Sequence, residues 1–237
     1  MNIKGFAIFM IIFLAGMGPV HSQNRTTLDL EDFSKLNVSG RMDVELIRSE
    51  SKQMSITSIK GDPEDVTVEI KDGELYLKVP TRINKDDIIQ IRLPYQLLSR
   101  IETTSGAKLN SADELRAGAL ELIARTGGKI ELSIHADSLT ARVTQVSDII
   151  LYGNVKTQYV TVLTGGNYLA YDLVSRDTYI KVSAGAQGKV TASRILDATA
   201  NSKGYIGYIG DPDNTVLNTS LGGTIVPFSS RKDADVN

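Results

Sequence analysis

The chain has 237 residues, of which 41% are hydrophobic, 23% charged and 6% aromatic, and its 26 Lys and Arg against 28 Asp and Glu give a formal charge of -2. These proportions argue against a disordered tail, a coiled coil or a multi-span membrane protein, and the slight acidity leaves no basic footprint for nucleic acid. The absence of cysteine removes disulfides, thiolate nucleophiles, iron–sulfur clusters and cysteine-type zinc sites.

In chain order, Met1–Ser22 has the parts of a secretory signal peptide. Lys4 supplies the positive n-region, Phe6-Ala-Ile-Phe-Met-Ile-Ile-Phe-Leu-Ala15 the apolar core, and Val20-His21-Ser22 the residues before a cleavage site at Gln23. The apolar run is short for a bilayer span, which disfavours the alternative of an uncleaved anchor, and no cysteine stands there to take a lipid. The expected location is therefore outside the cytoplasm, either periplasmic or on the cell surface. Residues 23–237 are expected to form a single domain: strands and a hairpin over 28–100, regular coils over 101–226, and a tail over 227–237.

Leu36–Ile47, Met54–Ile59, Val66–Ile70, Glu74–Val79 and Ile88–Leu93 each alternate in the manner of strands. Lys71-Asp72-Gly73 between two alternating runs predicts an antiparallel hairpin over Val66–Val79, closed by Pro80, and Gly61-Asp62-Pro63 marks another turn.

Beyond residue 100 a Ser or Thr followed by small residues recurs at Ser105, Thr126, Thr164, Ser183, Ser202 and Ser220, with Gln145-Val146-Ser147 as a degenerate member. The spacing is about nineteen residues. Between these marks lie runs rich in β-branched and aromatic residues, such as Lys129–Ile134, Leu139–Val143, Asp148–Tyr152, Tyr159–Leu163 and Thr178–Val182. Helical periodicity is hard to sustain anywhere after residue 22, although Ser111–Ala117 could make one turn. A short repeat carrying two or three strands is the sign of a β-solenoid. Positions 122, 141, 160, 179, 198 and 216 (Leu, Ala, Val, Tyr, Ala, Val) and 132, 151, 170, 189, 208 and 226 (Leu, Leu, Ala, Lys, Tyr, Val) then form lumen stacks. Lys189 breaks the second, which places a one-residue shift or a turn edge there. The Gly-rich marks are corners, where glycine supplies positive φ and a hydroxyl bonds local backbone; no helix N-terminus follows them to hold a phosphate.

These residues together resemble the bacterial family of the putative auto-transporter adhesin, head GIN domain. The resemblance is carried by Phe33–Gly40, Asp43-Val-Glu-Leu46, the hairpin with Asp72-Gly73-Glu-Leu75, Ile91-Arg-Leu-Pro94, Ile101–Ala107 and the recurring glycine corners, over roughly residues 28–226. It implies an all-β, right-handed, single-stranded β-helix or solenoid exported to the cell envelope, with no catalytic residues to carry over.

Catalytic chemistry finds little support. A Ser–His–Asp set would need His135, the one histidine outside the leader, which sits at an expected turn. Asp211, Asp213 and Asn214, like Asp62, Glu64 and Asp65, lie in Gly-Asp-Pro turns, so no metal or cofactor is expected. A β-helix polysaccharide lyase or hydrolase would need acids on one face of successive coils. Asp148 shares a column with Lys129 and Asn167, and Asp172 with Ile134 and Gly153, so no two acids stack. Seven of nine tyrosines fall between residues 152 and 208. Tyr152 and Tyr171, nineteen apart, are expected to stack on neighbouring coils and, with Tyr159 and Tyr168, to form a binding surface for a glycan or an envelope protein. Tyr179 and Tyr208 are expected in the core. The sequence thus predicts a non-catalytic adhesin-like interaction module, with the polysaccharide enzyme as one alternative and a structural envelope-assembly role, its last coil capped by the charged tail Arg231–Asp235, as another. It leaves the oligomeric state open.

Overall fold

Seven times after residue 100, among the described residues, two consecutive residues take positive φ: Ser105–Gly106, Thr126–Gly127, Gln145–Val146, Thr164–Gly165, Ala184–Gly185, Ser202–Lys203 and Leu221–Gly222. Two left-handed residues in succession reverse the backbone in the least length of chain, and the next segment returns in the same direction one layer further on. The result, in a computed structural model that describes residues 24–59, 62–80, 88–231 and 233, is a β-solenoid of about seven turns. The signal-peptide assignment lies outside the described residues.

The strands are β1 (Asn24–Asp29), β2 (Lys35–Ser39), β3 (Asp43–Arg48), β4 (Gln53–Ser58), β5 (Thr67–Lys71), β6 (Glu74–Lys78), β7 (Ile89–Tyr95), β8 (Arg100–Thr104) and β9 (Lys108–Ser111). Four long strands follow: β10 (Leu115–Ala124), β11 (Lys129–Val143), β12 (Asp148–Val162) and β13 (Asn167–Val182). The chain ends in β14 (Gln187–Thr191), β15 (Ile195–Ala200), β16 (Tyr205–Ile209), β17 (Asn214–Thr219) and β18 (Thr224–Phe228). One side of the solenoid stacks β6, β2, β8, the ends of β10 to β13, β15 and β17, all parallel. A second side stacks β7, β3, β9, the starts of β11 to β13, β14, β16 and β18. The start of β10 and the middles of β11, β12 and β13 make a third.

The first coil in sequence is not the first in space. β2 and β3 lie between the β6–β7 coil and the β8–β9 coil. The end beyond β6 and β7 is closed by antiparallel strands, with β5 on β6 and β4 then β1 beyond β7. The expected hairpin is β5–β6, turning through Asp72 at φ 51° and Gly73 at φ 72°. The expected helical turn at Ser111–Ala117 is instead a bend leading into β10, since Leu115 is needed in the lumen beside Ile134.

The lumen is lined by ladders of the same register position. Ile91, Val44, Leu109, Ile130, Ile149, Tyr168, Gly188 and Ile206 form one, and Leu122, Ala141, Val160, Ile180 and Ala198 another. The second ladder corrects the sequence expectation: Ile180, not Tyr179, continues it, because β12 and β13 fall out of register by one residue between Ile150 and Tyr152. Ala170 and Tyr171 together oppose Leu151, which is a β-bulge. The coil is accordingly longer, with Ala184 twenty residues after Thr164 and Ser202 eighteen after Ala184. The same slip turns Lys189 outward opposite Leu169 and gives its lumen place to Val190.

A chain of paired polar groups crosses the lumen in the middle coils. The Tyr168 hydroxyl donates to Gln158 Oε1 at 2.7 Å, Gln158 Nε2 donates to Thr178 Oγ1 at 3.0 Å, and the Thr178 hydroxyl lies 2.9 Å from the Thr191 carbonyl. Burial pushes the Tyr168 phenol above its ordinary range, which keeps it a neutral donor. Gly188 is its register partner in the next coil, and a Cβ there would come within 2.6 Å of Ile180 Cδ1.

Two corner positions carry opposite stability predictions. Val146 is a β-branched residue held at φ 56° and largely exposed, so Val146→Gly should raise unfolding free energy by about 1 kcal/mol. A Cβ at Gly128 would stand 2.5 Å from the Thr103 carbonyl oxygen, so Gly128→Ala should lower it by about 3 kcal/mol. Tyr168→Phe, which strips Gln158 Oε1 of its donor, should cost about 2 kcal/mol. Urea denaturation followed by circular dichroism measures all three.

Candidate functional site

A regular parallel stack presents flat outer faces, because each outward side chain sits over its counterpart one strand spacing away. The bulge at Ala170–Tyr171 breaks that regularity on the side built from the starts of the long strands. Its backbone is tied down from the next coil, where Thr191 Oγ1 donates to the Tyr171 carbonyl at 2.8 Å. A cleft of about 260 Å³ opens there, lined by Ile150, Tyr152, Leu169, Tyr171, Asp172, Lys189 and Arg231.

The shape of this cleft follows from where the extra residue sends its ring. Tyr171 lies across the outer face toward Gly207, where a Cβ would be 2.1 Å from the tyrosine hydroxyl, and it meets Phe228 edge to face at a centroid distance of 6.4 Å. Glycine at position 207 is therefore a condition of the cleft. Lys189 Nζ stands 5.5 Å from the Tyr171 centroid, in range for a cation–π contact. Asp172 forms an ion pair with Arg231 of the tail. Tyr152 closes the opposite wall, 38% exposed, its hydroxyl 3.5 Å from Glu131 Oε1. One exposed aromatic, one half-buried aromatic, two apolar floor residues and charges of both signs thus converge on one concavity.

The four tyrosines expected to share a surface do not. Tyr152 and Tyr171 both line the cleft, but they do not stack: the register places Asp172, not Tyr171, opposite Tyr152. Tyr168 is fully buried in the lumen and is removed from any surface. Tyr159 lies on a different side, opposite Tyr179, the two rings 5.1 Å apart and 12° from parallel. Tyr179 is thus an outward residue rather than a core one, while Tyr208 packs partly against the core. Sequence periodicity missed Asp172, Lys189 and Arg231 as neighbours of the tyrosines. The signal available was the lysine in an apolar column, which marks the slip.

Other candidates fall apart geometrically. His135 sits within β11, exposed between Arg116 and Asn154, and Asp137 is engaged by Lys156, whose ammonium holds that carboxyl below its usual range. Asp148 does share a column with Lys129 and Asn167, donated a hydrogen bond by Asn167 Nδ2 at 2.8 Å. Asp172, by contrast, is one register place away from Gly153, which faces Leu173. Asp62 caps the short turn Pro63–Asp65 by accepting from the Glu64 amide at 2.9 Å. Among the described residues no group of three or more His, Asp or Glu is placed to hold a metal ion, and no helix is long and apolar enough to cross a membrane.

Of the described tail residues, Ser229 and Ser230 both donate to Asp233 at 2.8 Å, and Arg231 reaches Asp172, on a strand three coils back from β18.

The family described as putative auto-transporter adhesin, head GIN domain, matches residues 32–212. The chain belongs to this family. Among solved structures, a putative adhesin from Bacteroides fragilis is 19% identical with a TM-score of 0.73, covering 90% of this chain and 100% of that one. A putative adhesin from Parabacteroides merdae is 17% identical with a TM-score of 0.69, covering 89% and 98%. A protein from Parabacteroides distasonis, named a putative lipid binding protein, is 19% identical with a TM-score of 0.66, covering 87% and 97%. At such identities the likeness is one of fold. No curated protein matches the chain.

The two cleft tyrosines separate in their cost. Tyr152→Ala should change stability by no more than about 0.5 kcal/mol, as for other exposed positions. Tyr171→Ala removes the Phe228 and Lys189 contacts and should cost about 2 kcal/mol. Thermal melts of the two variants read the difference.

Proposed function

We propose that this protein is an exported, non-catalytic binding module of the cell envelope, and that it holds a saccharide unit of a larger glycan in the Tyr152–Tyr171 cleft. The observation that carries this reading is the bulge, which spends a residue to convert one flat face into a concavity with tyrosines on it. Bulges that re-aim a side chain recur beside functional sites.

The chemistry of the lining favours a sugar. An exposed aromatic wall offers a flat apolar surface to the C–H face of a pyranose, while Asp172, Lys189 and Arg231 offer acceptors and donors to its hydroxyls. The volume lies below the roughly 300–1,000 Å³ of enclosed small-molecule sites, as suits one ring of an extended chain. The adhesin description of the family supports a binding role, and the N-terminal signal features support export. A lyase or hydrolase remains the rival. It would require paired carboxylates about 5–9.5 Å apart or a base beside a cation, and the outward columns around Asp148 and Asp172 place Asn167, Lys129 and Tyr152 next to those acids instead.

The purified chain without its leader, tested on an immobilised glycan array and in parallel turnover assays, should bind a subset of glycans and release no product. Tyr152→Ala should weaken that binding about tenfold or more with an unchanged melt. Release of unsaturated or reducing sugar ends would give the site to the enzyme reading. Binding that survives Tyr152→Ala would move the ligand elsewhere on the surface.

A further inference from the structure

The two ends of the solenoid are built differently. The N-terminal end is closed by antiparallel strands, and its outermost strands carry charges: Arg25 and Asp29 in β1, Glu69 and Lys71 in β5. Charged residues on an edge strand prevent it from pairing with another chain. At the C-terminal end, β17 pairs only with β15 and β18 only with β16 among the described residues, so each presents an unpaired edge. The fifteen residues Asn214–Phe228, which contain both strands and the corner between them, include no charged residue. Val216 is 54% exposed, Leu217 44% and Leu221 79%, although Leu217 continues the lumen ladder of Ile180 and Ala198. Among the described residues no strand covers the lumen at this end, and the coil lies beyond the matched residues 32–212.

We propose that the C-terminal coil is a docking surface for a second copy of this chain, joined tail to tail with the two β17 strands antiparallel. Charge selects this occupant. In a pairing about a two-fold axis residue i meets residue j of the partner and j meets i, so with the axis at Val216 a charge at that position would face its own sign; an edge of Asn, Thr, Val and Leu meets itself without repulsion. β17 is the pairing strand because β18 contains Pro227, which lacks the amide a ladder needs. The tail does not occupy the site as far as Arg231, since that residue is drawn to Asp172. A head-to-tail contact would instead set this neutral edge against the charged β1 and β5 and would leave a free end for further growth.

Sedimentation of the chain without its leader, at increasing concentration, should show a monomer passing to a dimer and no larger species. Val216→Lys places a charge on the edge and should raise the dissociation constant about tenfold or more, while Thr27→Lys on β1 should leave it unchanged. Because the chain has no cysteine, the double variant Asn214→Cys/Asn218→Cys supplies a second measurement that does not depend on the tolerance of Val216→Lys: with the two-fold axis at Val216, position 214 faces position 218 of the partner, so mild oxidation should yield a covalent dimer, and Thr27→Cys should not. A monomer at every concentration overturns the proposal. So does open-ended assembly suppressed by Thr27→Lys, and so does a dimer that ignores Val216→Lys but is lost when residues 229–237 are removed.

Discussion

Parallel stacking with a fixed register is the constraint on which the rest of this structure depends. Each strand between the corners hydrogen-bonds to the coil before and the coil after, so every coil must travel the same path in nearly the same number of residues. The two-residue left-handed corners enforce the path, and their third positions show how tightly. Gly128, Gly204 and Gly223 each pass so close to a carbonyl of the preceding coil that a Cβ would lie 2.5 Å or less from it. Glycine recurs there because of the coil above, and not only because of its own φ. At the corresponding place Ser147 and Ala186 substitute, both buried, which limits the column to the smallest side chains.

Much of this was legible in the sequence because the constraint writes itself as a period. The spacing of Ser, Thr and Gly gave the coil length, and alternation gave the lumen face for Leu122, Ala141, Val160, Leu132 and Leu151. What periodicity cannot convey is a change of phase. Aligning Ser183 with Thr164 hid the longer coil, because Ser183 lies one residue before the positive-φ pair Ala184–Gly185. Within the long coil, inferences past the bulge that depended on counting nineteens slipped by one, which is why Tyr179 was placed inside and Asp172 beside Gly153, while Ala198, beyond the compensating short coil, kept its place in the ladder. Nor does alternation alone reveal that β2–β3 inserts between later strands, since a strand's partners lie in coils that the sequence has not yet reached.

Tyr168 shows a second limit, one of polarity rather than phase. A tyrosine in a run of alternating residues reads equally well as an exposed anchor or as a core residue whose hydroxyl has a partner. The choice was made by Gln158, ten residues earlier and across the lumen, whose Oε1 accepts from the tyrosine hydroxyl. That relation is not local. A buried hydroxyl, amide and threonine joined in sequence cost little when every member is satisfied, and they fix which ring enters the lumen. The same coil therefore holds one tyrosine in its interior and throws the next but two, Tyr171, onto its exterior.

Tyr168 stands just before the bulge and Tyr171 within it, and together they suggest why it persists. An extra residue in one coil of a stack must be absorbed locally or it will shift all later layers. Here it is absorbed over two coils, twenty residues followed by eighteen, so that the stack regains its register by β15 while the outer face keeps the distortion. Removing the extra residue alone would leave the short coil uncompensated, and removing Tyr171 alone would leave Phe228 and Lys189 without the ring they meet. The cleft is thus built into the arithmetic of the fold: a concavity on one side of the stack, supported by Thr191 below, Gly207 beneath the ring and the tail's Arg231 at its rim. A binding site made in this way can change its lining at Tyr152 without disturbing the lumen, whereas a change at Tyr171 reaches the coils on which the fold rests.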